Sequence, residues 1–473
     1  MQLAFLLLYS AALTAFGVWV GRRVRGSADF FVAGRRLSAP LVFSTVLAAN
    51  IGAGTTIGAA GQAYIDGVSA WFWNGAAGLG SLVLAFWIGP RLWKEAADHG
   101  LLTAGDYLEL RYGPLVRGLL AALLWLGTLA ILAGQLIAGA AVLAAVADIP
   151  RPVGAAIGGI AMTIYFSAGG LLSSAWVNAV QLGVLLTGLL VAVPLAISAA
   201  GGLAGIAATP GLPATFWDPL YSSGPGSGYA FLALLGPAFV ISPGLVQKAY
   251  GAESQRAVRL GIGAAGVAQM VFACVPLVLG LAARHLHPGL EARDLVLPTL
   301  LVQSMPWLLG TIGLAAVFSA EVSTCDAILF MLSTSLSQDL YKRFVNPRAT
   351  DGQVLFVARV AAAVGGLAGV LLAVRLPNVI AALTIFYSLL GVSLFVPIAA
   401  GLYVRRAGTP EALASVAAGM GVLLYLNAQP WAARTIWFNP SLAGLVAAAA
   451  AFFLVAAVRR PTPPGPGPSA APV

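Results

Sequence analysis

AANIGAGTTIG, Ala48 to Gly58, interrupts the apolar run at 41–63 with three glycines in seven residues. Glycine carries no Cβ and leaves helical geometry at little steric cost, so this run reads as a helix broken near its middle. A second run, 229–247, is interrupted in the same way by Gly236-Pro237 and by Ser242-Pro243-Gly244. The surroundings give these breaks their meaning. Sixty per cent of the 473 residues are hydrophobic and only 9% are charged, with a mean hydropathy of +0.92. Such a composition belongs to a chain solvated by lipid. Backbone at membrane depth is left without helical partners only where it is buried in protein or lines a cavity.

Working outward, apolar runs fall at 2–20, 41–63, 70–92, 115–146, 150–167, 174–199, 229–247, 257–283, 305–334, 354–374, 378–403, 411–427 and 441–458, thirteen in all. They run from 17 to 32 residues, around or above the roughly 20 that a bilayer core demands. The expected architecture is an all-α polytopic membrane protein of about thirteen transmembrane helices. The first run has no basic residue before it and is followed by Arg22, Arg23 and Arg25, the reverse of a secretory signal. With the amino terminus outside, twenty basic residues lie in or beside cytoplasmic loops and five, Arg151, Arg284, Arg293, Arg375 and Arg434, lie outside. That asymmetry follows the positive-inside rule and places the carboxyl terminus inside the cell membrane. Residues 1–460 are expected to form one transmembrane domain, and the Pro/Gly-rich 461–473 a disordered cytoplasmic tail without a fused module.

The two broken runs are the second and the seventh, five spans apart. Broken spans at corresponding positions of two halves are the signature of an inverted-repeat transporter, here with repeats at 41–199 and 229–403. Small residues also serve close packing between membrane helices, and the glycines alone fit either use.

Four stretches carry a family resemblance: FFVAGRRLSAPLVFSTVLAANIGAGTTIGAAGQAY from Phe30, GDYLELRYG from Gly105, FSAGGLLSSAWVNAVQ from Phe166 and SAEVSTCDAILFMLSTSLSQDLYKRF from Ser319. In this order they resemble the sodium:solute symporter family. The resemblance implies a 5+5 core like that of the bacterial leucine transporter, with broken first and sixth core helices, one helix before the core and two after. It also implies a sodium site made by the carbonyls of Ala48, Ile51 and Ala320 and the hydroxyls of Ser323 and Thr324. Positions 320, 323 and 324 share one helix face, and sodium favours hard oxygen donors. Ser323 and Thr324 have a second possible use, back-bonding to carbonyls of their own helix.

The resemblance further implies a central cavity, for which we nominate Asn50, Thr55, Thr56, Trp73, Asn74, Gln135, Ser242 and Tyr387. Each also has a plain packing role open to it. Many family members carry an aspartate just before the glutamine that is here Gln181. This chain has Asn178, so one sodium per cycle is expected. Glu321 stands where small apolar residues are usual, and Asp326 matches an acid often found after the Ser-Thr pair. Ionisable groups at membrane depth invite functional readings, so proton coupling through Glu321 stays open as an alternative. Sugar carriers tend to have a Glu-Gln pair where this chain has Gly54-Thr55. Amino acids or organic acids suit half-helix ends, while vitamins, nucleosides and ureides also remain.

Other classes fare worse. The three histidines, His99, His285 and His287, all lie in loops and close no metal site, and Cys274 and Cys325 lie apart in apolar runs. No nucleophile and base are spaced for catalysis, so neither an enzyme nor a cofactor is expected. The net charge of +9 is spread over loops, which argues against nucleic acid. A solute sensor would need a separate protein partner, and none is evident; a static channel would not need breaks in both halves.

Overall fold

A computed structural model describes residues 2–21, 33–167, 171–221, 229–404, 406–429 and 439–459. Arg22, Arg23, Arg25, Arg405, Arg434 and Arg460 of the charge count, and the expected tail at 461–473, lie outside the described residues.

The main helices begin with α1 (Gln2–Gly21), α2 (Ala39–Asn50), α3 (Ala59–Asp66), α4 (Trp71–Val83) and α5 (Gly89–His99). They continue with α6 (Ala104–Tyr112), α7 (Pro114–Ala147), α8 (Arg151–Ser167), α9 (Leu171–Ala199), α10 (Ala230–Ile241) and α11 (Pro243–Gly251). The remainder are α12 (Gln255–Phe272), α13 (Cys274–Leu286), α14 (Val296–Gln303), α15 (Trp307–Thr334), α16 (Asp351–Arg375), α17 (Val379–Tyr403), α18 (Thr409–Asn427) and α19 (Pro440–Val458). Proline opens α2, α7, α11, α18 and α19 in the first turn, where its missing N–H is no loss.

Among the described residues ten helical stretches are long and apolar enough to cross a membrane. The difference from thirteen has a geometric origin. The second expected span is divided between α2 and α3, and α3 runs on into the third as one stretch, Gly54–His99, of 46 residues. That stretch bends at Gly67, whose φ of 75° suits glycine and whose hydrogen faces the Phe216 carbonyl. The first expected span contributes an apolar segment Gln2–Leu13, and α8 is 17 residues long.

The two breaks differ in extent. The first spans Ile51–Ala53, with Ile51 at φ −95°, ψ 88°. The second is confined to Ser242, at φ −50°, ψ 123°. Gly236-Pro237 does not break α10, because Pro237 sits inside a continuous helix and Gly236 lies tight against Gly80 of α4.

Packing is reciprocal about the breaks. The first broken span, α2 with α3, packs on α12 and α13, while α10 of the second packs on α4. Likewise α7 packs on α17 and α9 on α15; α7 packs on α8 and α15 on α16. Helix α15 is the hub: 94% of its most apolar window is inside the protein, against 22% for α19 at the periphery. It continues in wider turns through Ser335–Val345, beyond the expected end at 334. Large apolar side chains such as Trp87, Leu371 and Val458 remain exposed on the outer surface, as a lipid-facing surface requires.

The Ala33-Gly34-Arg35 turn ties the two broken spans together. All three residues have positive φ, 47°, 59° and 55°. The Arg35 guanidinium thereby donates to the carbonyls of Tyr250 (3.2 Å), Ala96 (2.8 Å) and Leu101 (2.8 Å). Beside it, Leu37 N–H donates to Gly251 O (2.9 Å) and Glu253 N–H donates to Leu37 O (3.0 Å).

At one end of the bundle Arg117 of α7 meets Asp106 (2.7 Å), Glu109 (2.8 Å) and Asp339 (2.8 Å), while Thr103 Oγ1 donates to Asp339 Oδ1 (2.7 Å). Asp339 is 3% exposed. Removing one partner of such a buried cluster leaves an uncompensated charge. Arg117→Met should therefore lower unfolding stability in detergent by about 3–5 kcal/mol, with a second change, Asp339→Asn, restoring part of the loss. Thermal or denaturant unfolding of the single and double variants checks this.

Candidate functional site

Three oxygens meet where α2 ends against α15. The Ser323 hydroxyl lies 2.9 Å from the carbonyl oxygen of Ala48 and 3.0 Å from that of Ala320. A hydroxyl has one proton, so one donor is shared between two acceptors and the cluster is rich in lone pairs. Thr324 Oγ1 donates to Ala49 O at 3.3 Å. Thr324 therefore reaches across to the broken helix rather than back along its own. Ala48, Ile51, Ala320 and Ser323 are fully buried and Thr324 is nearly so. With ψ at 88°, the Ile51 carbonyl has turned out of the helical ladder.

Gly52 makes this approach possible. A Cβ there would collide with Thr324, 2.7 Å from its Cβ and 2.8 Å from its Cγ2 as well as against Oγ1. The two roles open to the glycines are thus combined at one position, outside the helix and in close contact.

Asn178 of α9 lies one turn along α2 from this cluster, donating to Thr45 Oγ1 at 3.4 Å. Glu321 points away from the cluster toward α7, where its Oε2 is 3.3 Å from the place a Cβ on Gly139 would take. It is 1% exposed, and neither carboxyl oxygen has a hydrogen-bond partner among the described residues. Asp326 is also buried.

A cavity with about 50 Å³ of water-accessible space lies between the two breaks. Of the eight nominated residues, Asn50, Thr55, Trp73, Gln135, Ser242 and Tyr387 line it, together with Thr324. Gln135 Oε1 accepts the Ala53 N–H at 2.9 Å, replacing a helical partner lost at the break. Asn50 Nδ2 donates to Gln269 Oε1 (2.9 Å) and to Ser81 Oγ (3.3 Å). Thr56 and Asn74 stand outside the cavity wall. Thr56 Oγ1 donates to Gly52 O at 2.9 Å and Asn74 Nδ2 to Thr55 O at 3.1 Å, so both satisfy backbone of the unwound segment. Trp73, Phe239, Phe386 and Tyr387 form one aromatic wall, with Tyr387 5.3 Å from both phenylalanines and 6.3 Å from Trp73 between ring centroids.

Sequence reasoning missed Gln269, Phe239 and above all Lys248. The expected seventh span stops at 247, which puts Lys248 in a cytoplasmic loop; instead α11 runs to Gly251 and buries it, 2% exposed, on the cavity wall. Its signal was the Ser-Pro-Gly start of a half-helix that needs two more turns before it can end.

With this geometry in view, the family model for the sodium:solute symporters matches residues 30–419. The chain belongs to the sodium:solute symporter family. Among relatives, the sodium/pantothenate symporter of Escherichia coli is 29% identical over 500 residues, covering 96% of each chain. An uncharacterised symporter of the same organism, YidK, is 28% identical over 423 residues, covering 84% of this chain and 73% of its own. Among solved structures, a sodium-coupled sialic acid symporter in a substrate-bound outward-open state superposes with a TM-score of 0.82 at 21% identity, over 97% of this chain and 98% of that one. The fold is thus that of the inverted-repeat transporters. The protein is a multi-pass membrane symporter that couples a small solute to sodium, and its family and fold are those of transporters.

As a sodium:solute symporter, the chain should be sensitive to any side chain at the break. Gly52→Ala should push Thr324 away and weaken sodium activation of uptake about tenfold, the loss of roughly one charge-assisted contact. Gly421→Ala, which meets nothing within 4 Å, should leave uptake unchanged. Sodium titrations of proteoliposome uptake compare the two.

Proposed function

We propose that this protein imports its solute by alternating access, with one sodium ion per cycle held by the carbonyls of Ala48, Ile51 and Ala320 and the hydroxyls of Ser323 and Thr324. One observation carries the proposal: the Ser323 hydroxyl stands within 3.0 Å of two carbonyls that belong to different helices. A hard cation there would replace one shared proton with direct coordination and relieve the excess of lone pairs. It would also join α2 to α15, so ion binding and the position of the broken helix become one event. Asn178 brings a neutral amide to this neighbourhood and adds no anionic ligand for a second ion, in keeping with a single sodium.

The solute site is proposed at the cavity between the breaks, lined by Asn50, Thr55, Trp73, Gln135, Ser242 and Tyr387, with Thr56 and Asn74 holding the unwound strand in shape. Reciprocal packing supports repeats at about 41–199 and 229–403 within a single transmembrane domain. The charge asymmetry of the loops supports a cell-membrane location with the amino terminus outside. No catalytic role is proposed.

Ser323→Ala and Thr324→Ala should each raise the sodium concentration for half-maximal uptake by about tenfold or more, as losing a ligand to a buried ion requires. Solute affinity at saturating sodium should change far less. An unaltered sodium dependence in both variants would remove the assignment.

A second reading, proton coupling, is favoured by one feature, the absence of a hydrogen-bond partner for the Glu321 carboxyl among the described residues. Under the sodium proposal Glu321→Gln, which keeps shape and removes the charge, leaves both sodium dependence and the pH profile of uptake in place. A displaced pH profile in that variant would instead make the proton part of the cycle.

A further inference from the structure

The cavity wall carries a cation that the proposed ion site does not use. Lys248 is the one charged residue among the described residues that line it. A buried ammonium is costly unless an anion meets it. Asp326, the acid nearest in sequence to the proposed ion site's Thr324, does not itself line the cavity. Lys248 therefore brings a basic group to the cavity wall.

The same half-helix adds to this field. Helix α11 has nine residues and begins at Pro243, and Ser242, Gly244 and Leu245 at its amino-terminal end line the same cavity. A helix amino terminus attracts negative charge. Another part of the lining is aromatic, built from Trp73, Phe239, Phe386 and Tyr387. Thr324, a proposed sodium ligand, also faces this space, so an ion bound there would add positive charge within one side chain of the solute.

We infer that the solute is a small organic acid whose carboxylate sits between the Lys248 ammonium and the amino-terminal end of α11, with its apolar body against the aromatic wall. This inference rests on the proposal that the cavity is the solute site. Amino acids fall within the class through their carboxylates. Sugars, polyols and organic cations do not, since they would bring no anion to the ammonium. Sodium dependence then has an electrostatic component: the ion's charge and the carboxylate's charge lower each other's cost of burial.

The test uses the purified full-length protein in detergent and a panel of matched pairs: propionate and propionamide, lactate and lactamide, benzoate and benzamide, alanine and alaninamide. Glucose, myo-inositol and choline serve as neutral and cationic probes. Thermal stabilisation is titrated in sodium and again with potassium replacing it. The expected result is that one or more acids stabilise the protein and that their amides bind about tenfold more weakly or worse, as losing a charge-assisted contact predicts. Lys248→Met should abolish that preference for acid over amide while the shift produced by sodium alone persists, and Lys248→Arg should retain the preference.

Amides, sugars or choline binding as well as the acids, no acid stabilising the protein, or an undiminished preference in a folded Lys248→Met variant would each overturn the inference. If Lys248→Met does not fold, the acid and amide comparison on the unaltered protein decides it. Acids that bind equally in potassium would sink the sodium proposal while leaving the carboxylate assignment standing.

Discussion

Backbone groups that leave a helix inside a membrane must find partners from the protein, and the core of this transporter is arranged around that constraint. At the first break the Ala53 N–H is taken by Gln135 of α7, the Thr55 carbonyl by Asn74 of α4, and the Ala48 and Ala49 carbonyls by Ser323 and Thr324 of α15. Three different helices thus supply side chains to one break and the turns that flank it. The proposed ion and solute sites draw on the same contacts, because groups satisfied by weak or shared hydrogen bonds are the ones a ligand can recruit.

The second break is satisfied more locally. Ser242 alone leaves helical geometry, and its carbonyl accepts the N–H groups of Leu245 and Val246 at 2.9 Å each. The asymmetry matters for function. The first broken span offers carbonyls, suited to a cation, while the second offers the positive end of a half-helix and Lys248, suited to an anion. Residues of both breaks, Asn50, Gly52, Ser242 and Lys248 among them, therefore line one cavity. Its limited volume brings any occupants close enough for their charges to interact.

Rigid ties hold the two breaks in register. Arg35 reaches three carbonyls on two helices and the following loop, and Leu37 exchanges backbone hydrogen bonds with residues 251 and 253. Farther along, Arg117 gathers Asp106, Glu109 and Asp339 at one end of the bundle. A buried charge cluster of this kind is a poor source of net stability, but it ties α7 to α6 and to the extension of α15 through three ion pairs.

The sequence by itself determined the lipid-solvated, all-helical architecture, the two broken spans, and the face on which Ala320, Ser323 and Thr324 lie. Hydropathy, helix breakers and i, i+3, i+4 spacing are local properties that a linear string carries in full. The contact of Ser323 with Ala48 pairs residues 275 positions apart, and only the tertiary structure decided it. The structure also decided that Thr56 and Asn74 serve the backbone instead of the cavity, and that Glu321 turns toward α7. Lys248 shows the limit most plainly. A hydropathy window ends a span at the first charge it meets, whereas in the folded chain α11 runs past that charge to Gly251 and buries it on the cavity wall.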